Sequence, residues 1–221
     1  LAGQVAKYLE VDSATMIIAM RDPVTVERLG FKQETMIGLF IPNTYDVWWT
    51  ESPSAFLERM AREYRRFWTE ERKALAKALG MSQSEVSTLA SIVQAETAKR
   101  DEAPTIAGVY LNRLRIGMPL QTDPTLKFAL GLDSLSRILT TDMRVDSPYN
   151  TYTHAGLPPR PINMPEPGFI DAVLKAQKHD YIYFCARETL DGYSNFAKSY
   201  EQHLVNARRY QKALNDRGIY R

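Results

Sequence analysis

The chain has 221 residues, 44% of them hydrophobic and 24% charged, so it can bury a core in one large or two small domains and general disorder is excluded. Its 28 basic and 26 acidic residues give a formal net charge of +2, which argues against an arm that binds nucleic acid. No apolar run approaches the roughly 18 residues of a membrane helix, and no signal-peptide pattern is present.

Residues 1–80 are predicted to be helical with one strand. We expect short helices over 1–9, over 14–20 and from Pro23 to about Gly30. Aromatic residues and Met at helical spacing predict one long helix over 54–78. The apolar run 35–41, which Pro42 ends, has the composition of a strand. Trp48 and Trp49 are interpreted as packing or interface residues.

The rest of the chain alternates helices with two long irregular segments. Helices are predicted from Ser82 to Ala98 and over 104–114, 169–178 and 199–214, and a buried strand over 181–186. Cys185 in that strand is interpreted as a small apolar residue rather than a reactive thiol. Segments 119–125 and 146–167 lack periodicity, and loops of this length in a compact domain are usually functional.

One carboxylate lies on the apolar stripe of the predicted helix over 82–98. Ser82 and Glu85 have the spacing of a capping box, which fixes the start of this helix. At roughly 100° per residue, Glu96 lies only about 20° around the axis from Leu89, seven residues earlier. Gln94 turns away from the stripe by the same period. Glu96 is therefore predicted to face the core.

Two interpretations explain an inward-facing carboxylate, because an isolated ionised carboxylate is costly to bury. The first is an ion pair, for which Arg100 lies one turn further along and Arg113 or Arg115 could reach from the next helix. The second is a general acid whose proton is retained near neutral pH by desolvation, as in glycosidases. These two interpretations stay open from the residue chemistry alone.

Five ordered blocks resemble the endolytic murein transglycosylase family, the MltG or YceG-like proteins. The blocks are Ala90–Ala98, Gly108–Leu114, Gly117–Thr125, Tyr149–Tyr152 and Gly156–Pro159, and weaker similarity extends from about residue 30 to residue 210. The resemblance implies that Glu96 is the catalytic acid. Two positions depart from the family pattern: Gln94 replaces a second acid, and Ser194 stands where relatives commonly have a His.

The resemblance implies an α+β fold in two parts. Residues 81–221 would form a helix-rich catalytic domain with a small sheet and long glycan-binding loops. Residues 1–80 would be a smaller α/β remnant of a LysM-like module and its connection. The implied reaction cleaves the β-1,4 bond between N-acetylmuramic acid and N-acetylglucosamine within a strand. The muramic acid 6-hydroxyl then closes a 1,6-anhydro ring, with one Glu acting first as acid and then as base.

The loops supply the candidate substrate contacts. Gln121, Asp123 and Thr125 could bond to sugar hydroxyls or acetamides, although an Asp before a Pro in a turn commonly bonds to nearby backbone instead. Tyr149, Asn150 and Tyr152 combine flat apolar faces with polar groups, although Asn150 could only be closing a turn. Arg113 is a candidate for positioning these loops.

The expected partners are peptidoglycan strands and, among proteins, penicillin-binding proteins and other members of the elongation complex. Relatives imply a single membrane helix before residue 1 and an extracytoplasmic catalytic part on the bacterial inner membrane. No cofactor is expected, and His154, His179 and His203 are too scattered to indicate a metal site. Two other functions stay open: a glycan-binding scaffold without turnover, and a hydrolase that uses Glu96 and Asp123 as paired carboxylates.

Overall fold

A computed structural model describes residues 1–132, 138 and 141–219. In its N-terminal part, caps and prolines define where the helices begin. Asp12, Asp22 and Ser52 each accept a hydrogen bond from a backbone N–H in the first turn, and Pro23 and Pro53 are the first residues of their helices. The elements of this part are α1 (Ala2–Val5), α2 (Ser13–Arg21), α3 (Pro23–Arg28), a 3-10 helix (Met36–Leu39), α4 (Pro53–Phe67) and α5 (Glu70–Ala78).

Residues 81–219 add five helices and one hairpin among the described residues. The helices are α6 (Gln83–Glu96), α7 (Ala103–Arg115), α8 (Asp123–Leu130), α9 (Pro167–Leu174) and α10 (Tyr200–Asp216), with a 3-10 helix at Asp142–Arg144. The antiparallel strands are β1 (Tyr183–Ala186) and β2 (Ser194–Ala197), in a register that pairs Phe184 with Phe196. The fold is therefore α+β and mostly helical. None of the described helices is both long and apolar enough to cross a membrane.

Two hydrophobic clusters hold the chain together. The small core is built from α1 to α4 and the 3-10 helix, and includes Met16, Leu39 and Leu57. The large core is built mainly from α5, α6, α7 and α9, which pack against one another, and includes Leu89, Ile106 and Ile170. Helix α6 is the centre of the large core, since all eight residues from Val86 to Val93 are buried.

Helix α7 passes unusually close to the segment that follows α9. A Cβ on Gly108 would lie 2.5 Å from the carbonyl oxygen of Gln177 and 2.6 Å from Nε2 of His179, so only glycine fits there without a shift. The Asn112 amide donates hydrogen bonds to the carbonyls of His179 at 2.8 Å and Tyr181 at 3.0 Å. These contacts hold the segment that leads into β1 against α7.

Several predicted elements need correction. The strand predicted over 35–41 is wrong, because Met36–Leu39 forms a 3-10 helix. The described part of residues 1–80 contains helices but no strand, so its expected α/β character is not observed. The long helix predicted over 54–78 is two helices, because the backbone leaves the helical conformation at Trp68 and Thr69 caps α5.

Other differences concern burial and omitted elements. Helix α8 and strand β2 were not predicted. Helix α8 begins at Asp123, within the segment 119–125 that was interpreted as irregular. The predicted strand over 181–186 is half-buried rather than buried. Burial raises the pKa of the Cys185 thiol, which agrees with an unreactive residue.

Trp48 and Trp49 are exposed and do not pack in either core. The domain boundary at residue 80 stays a prediction.

Candidate active site

Glu96 is the last residue of α6. The helix begins with a complete capping box, in which the Ser82 hydroxyl accepts a hydrogen bond from the Glu85 N–H and the Glu85 carboxylate accepts one from the Ser82 N–H. On the stripe that the helical period predicts, Leu89 and Val93 are fully buried. Glu96 continues that stripe to the edge of the large core, where its side chain is half-buried.

The two oxygens of the Glu96 carboxyl group have different surroundings. Oε1 accepts hydrogen bonds from the Tyr110 hydroxyl at 2.8 Å and from the Thr122 hydroxyl at 2.5 Å. Oε2 accepts none from the part of the chain that the structure describes, and it is not among the fully buried unpaired polar atoms. The carboxyl group is therefore held through Oε1, while Oε2 is accessible to solvent.

Burial raises the pKa of the Glu96 carboxyl group above its ordinary value. The two hydroxyl donors and the positive charge of Arg113 oppose this effect, while the negative charge of Asp123 adds to it. The position at the carboxyl end of α6 also disfavours a negative charge, because the helix dipole is negative there. Desolvation is the largest of these effects, so Glu96 tends to retain its proton, and the two donors stabilise the anion once the proton leaves.

The ion-pair interpretation of Glu96 is not observed. Among residues 1–132, 138 and 141–219, Glu96 forms no salt bridge. Arg100 pairs instead with Glu166. Arg113 is buried and donates to the carbonyls of Leu120 at 2.6 Å and Ile182 at 2.7 Å, as expected for a residue that positions loops.

Three of the predicted substrate residues lie at the surface beside Glu96. Asp123 is exposed in the first turn of α8 and accepts a hydrogen bond from the half-buried Tyr152 hydroxyl. Burial and the Asp123 carboxylate raise the pKa of Tyr152, which therefore stays a donor. Gln121 is exposed and has a left-handed backbone with a φ of 49°, which costs about 1–3 kcal/mol in a residue other than glycine. Such strain is typical of functional loops.

Two of the predicted substrate residues lie inside the protein. The Thr125 hydroxyl is fully buried and donates to the Thr122 carbonyl at 2.8 Å. The Asn150 side chain is also fully buried, and its amide donates to the carbonyls of Met143 at 3.0 Å and Val145 at 2.9 Å. Direct substrate contact by Thr125 and Asn150 therefore disagrees with this structure, and the turn-closing alternative for Asn150 fits it. Tyr149, the sixth candidate, is half-buried beside Phe128.

Thr151 connects the two loops behind Glu96. Its carbonyl accepts a hydrogen bond from the Gln121 N–H at 3.0 Å, and its hydroxyl accepts one from the Thr122 N–H at 3.1 Å. These bonds hold segment 121–122 so that the Thr122 hydroxyl reaches Glu96. Tyr110, Thr122 and Thr151 were not among the residues predicted for the site from the sequence. One signal was available for Tyr110, since a Tyr on a buried helix face needs a partner for its hydroxyl.

The β1–β2 hairpin contacts the segment that follows Glu96. The Ser194 N–H donates to the buried Glu102 carboxylate at 2.7 Å, and the Tyr193 hydroxyl donates to Asp101 at 2.9 Å. Ser194, which departs from the family pattern, is thus part of the contact that fixes segment 97–102. Gln94 lies on the other side of α6 from the stripe, where its amide oxygen accepts a hydrogen bond from the Glu166 N–H at 2.7 Å.

The fold and the site together define a helix-rich α+β domain built around one hydrogen-bonded carboxyl group. The chain belongs to the YceG-like family, whose model matches residues 2–209. In a solved YceG-like protein from Listeria monocytogenes, the similar region covers 92% of this chain and 71% of that one, with 31% identity and a TM-score of 0.78.

Curated relatives carry the name endolytic murein transglycosylase. The Bacillus subtilis protein is 33% identical over 183 residues, which are 81% of this chain and 49% of the relative. The Streptococcus pneumoniae protein of strain D39 is 36% identical over 134 residues, which are 59% of this chain and 24% of the relative. The chain therefore spans about half or less of the length of these relatives.

Proposed function

We propose that this chain carries the active site of an endolytic peptidoglycan lytic transglycosylase, with Glu96 as its single acid and base. The observation that supports it most is the asymmetric carboxyl group, in which Oε1 is held by Tyr110 and Thr122 while Oε2 is open. Its raised pKa favours the protonated form that an acid catalyst needs. The YceG-like family and the names of the relatives agree with this chemistry.

In the first step, Oε2 of protonated Glu96 donates its proton to the oxygen between N-acetylmuramic acid and N-acetylglucosamine. The bond from that oxygen to the muramic acid anomeric carbon breaks, and positive charge develops on the ring. The N-acetylglucosamine end leaves as an alcohol. The new negative charge on Glu96 is stabilised by the hydroxyl donors Tyr110 and Thr122, which are already in place and need no reorganisation.

In the second step, the 6-hydroxyl of the same muramic acid attacks its anomeric carbon. Ionised Glu96 takes the proton of that hydroxyl, so the carboxyl group returns to its starting state and no water is consumed. The product is a 1,6-anhydro end. Gln121, Asp123 and Tyr152, which line the outer side of the site, are proposed to hold the sugars on either side of the bond. Thr125 and Asn150 support this surface from behind.

A two-carboxylate hydrolase is the second candidate, because Asp123 directly follows Thr122 and its charge raises the pKa of Glu96. In that mechanism water would attack the anomeric carbon and leave a reducing end. Asp123 is exposed and bonded to Tyr152, which is compatible with either an ionised second carboxylate or a sugar ligand. The chemical form of the new end, anhydro or reducing, distinguishes the two mechanisms.

The experiment compares the parent chain with Glu96→Gln on uncrosslinked glycan strands, with mass spectrometry of the new ends. Glu71→Gln, an exposed position on α5, is the matched control. Anhydro ends from the parent and control, with a loss of at least a thousandfold in Glu96→Gln, are expected. Reducing ends would support the hydrolase, intact strands would support a binding module, and full activity of Glu96→Gln would refute the assignment of the acid.

The proposal also implies where the protein acts. Peptidoglycan strands lie outside the cytoplasmic membrane, so the described domain would be extracytoplasmic. Association with penicillin-binding proteins, the expected protein partners, would bring Glu96 to strands as they are made. A pull-down with the parent chain as bait and a purified penicillin-binding protein tests this association. Failure to retain the penicillin-binding protein at physiological salt would argue against it.

A further inference from the structure

Arg160 holds its guanidinium group against two aromatic rings near the site. The guanidinium carbon is 5.5 Å from the ring centre of Phe128 on α8 and 5.9 Å from that of Tyr149. Nε donates a hydrogen bond to the Tyr149 hydroxyl at 2.9 Å, and the two ring centres are 4.9 Å apart. These contacts fix the end of a side chain that is otherwise flexible.

The charge of Arg160 is not paired within the part of the chain that the structure describes. No carboxylate there lies within salt-bridge distance of it, and Nη1 and Nη2 donate no hydrogen bond to a described residue. Other half-buried arginines each face an acid: Arg59 faces Glu51, Arg72 faces Asp171 and Arg187 faces Asp191. Arg160 is half-buried as well, and neither Nη atom is fully enclosed. Two donors on a fixed planar group are thus available for an outside ligand.

Arg160 contacts the two segments that carry Asp123 and Tyr152, which are bonded to each other beside Glu96. Phe128 lies five residues after Asp123 on α8, which is about 7.5 Å along the helix. Tyr149 lies three residues before Tyr152, whose hydroxyl donates to Asp123. The guanidinium group therefore rests on the same two segments as Asp123 and Tyr152, two of the residues proposed to hold the sugars.

We propose that Arg160, supported by Phe128 and Tyr149, binds a carboxylate of the peptide stem on a muramic acid beside the cleaved bond. This inference rests on the proposed function, because it takes peptidoglycan as the substrate. The planar guanidinium group matches a carboxylate through two parallel hydrogen bonds, and its weak hydration lowers the cost of pairing. The site would make stems with free carboxylates the preferred substrate over uncharged strands.

The test measures kcat/KM of the parent, Arg160→Gln and Arg160→Lys on three preparations of uncrosslinked strands. The first carries intact stems, the second carries stems whose carboxylates are amidated with methylamine, and the third has its stems removed, which frees the lactyl carboxylate. Arg66→Gln, a charge change on an exposed part of α4, is the matched control. A merely structural role of Arg160 would lower activity on all three preparations equally.

We expect Arg160→Gln to lose about tenfold or more on intact stems and to equal the parent on amidated stems. Arg160→Lys should keep part of the preference for intact over amidated stems, because it keeps the charge. An equal preference in the parent and Arg160→Gln would overturn the inference. A loss that is as large on stripped strands as on intact ones would also overturn it, because the lactyl carboxylate would then be the ligand.

A binding measurement separates this inference from the proposed function. The Kd of Glu96→Gln for an intact-stem strand is compared with that of the Glu96→Gln, Arg160→Gln double variant by fluorescence anisotropy. A weaker Kd in the double variant supports stem recognition even if the parent shows no turnover, which alone would refute the proposed function. Turnover by the parent together with an unchanged Kd and an unchanged stem preference refutes only the role of Arg160.

Discussion

The hydroxyl of Thr122 offers the sharpest test of how Glu96 is controlled. Thr122→Val removes a donor 2.5 Å from Oε1 and keeps nearly the same shape. Thr122 is buried, and its backbone N–H and carbonyl keep their bonds to Thr151 and Thr125 in the variant. The substitution therefore changes one hydrogen bond to the acid and little else.

The size of the effect follows from that bond. The Thr122 hydroxyl favours the ionised form of Glu96 and so lowers its pKa against the effect of burial. A hydrogen bond to a charged group contributes about 1.5–3 kcal/mol. Since about 1.4 kcal/mol corresponds to one pH unit, removing it should move the alkaline limb of the activity profile upward by about one unit or more. The maximal rate should fall by about tenfold, because the anion formed in the first step loses a donor.

The assay is the pH dependence of kcat/KM on uncrosslinked strands, measured for the parent, Thr122→Val and Thr125→Val. Thr125 is the matched control, because its buried hydroxyl bonds to the Thr122 carbonyl and to the Thr151 hydroxyl and not to Glu96. Thr125→Val removes two buried hydrogen bonds and should therefore lose about 1–3 kcal/mol of stability, while the alkaline limb stays in place. An alkaline limb of Thr122→Val that stays in place or moves to lower pH would refute a direct effect of this hydroxyl on the pKa of Glu96, and so would an equal shift in both variants.

Three further predictions concern stability. The pKa of Glu96 is raised in the native state, so that state binds more protons and the free energy of unfolding falls with rising pH between the unfolded and folded pKa values, by at most about 1.4 kcal/mol per pH unit. Calorimetry should find Glu96→Gln more stable than the parent at about pH 8 and no more stable at about pH 4; a parallel pH dependence would contradict this. Gly108→Ala should cost about 1–3 kcal/mol in urea unfolding, because its Cβ would overlap the Gln177 carbonyl, and an unchanged midpoint would argue against that close approach. Arg113→Gln should cost about 3 kcal/mol in the same measurement by weakening its bonds to two backbone carbonyls, and a loss below about 1 kcal/mol would show that they are dispensable.

The local part of the site could be predicted from the sequence, and the rest could not. Helical periodicity placed Glu96 on the buried stripe, and the capping box fixed where α6 begins, because both signals lie within one helix. The donors to Glu96 come from residues 14 and 26 positions away, and no local pattern encodes such contacts. The ion-pair alternative could be rejected only once Arg100 was seen to pair with Glu166.

The incorrect predictions have a common physical cause. The run 35–41 has the apolar composition of a strand, yet the described part of residues 1–80 offers no partner strand, so the chain buries Met36 and Leu39 through a 3-10 turn. The break at Trp68 follows from tertiary packing, because Trp68 is buried in the large core while most of α4 belongs to the small one. Composition alone does not reveal which core a side chain enters.

The hairpin connects the C-terminal part of the chain to the segment that follows Glu96. Ser194 and Tyr193 bind the stretch directly after Glu96, and α10 packs on the same hairpin. A shortened form that ended before β1 would keep Tyr110 and Thr122, which touch Glu96. It would lose the hairpin contacts that hold the segment directly after α6. For the proposed activity, we therefore expect the shortest sufficient chain to include this hairpin as well as the groups that touch Glu96.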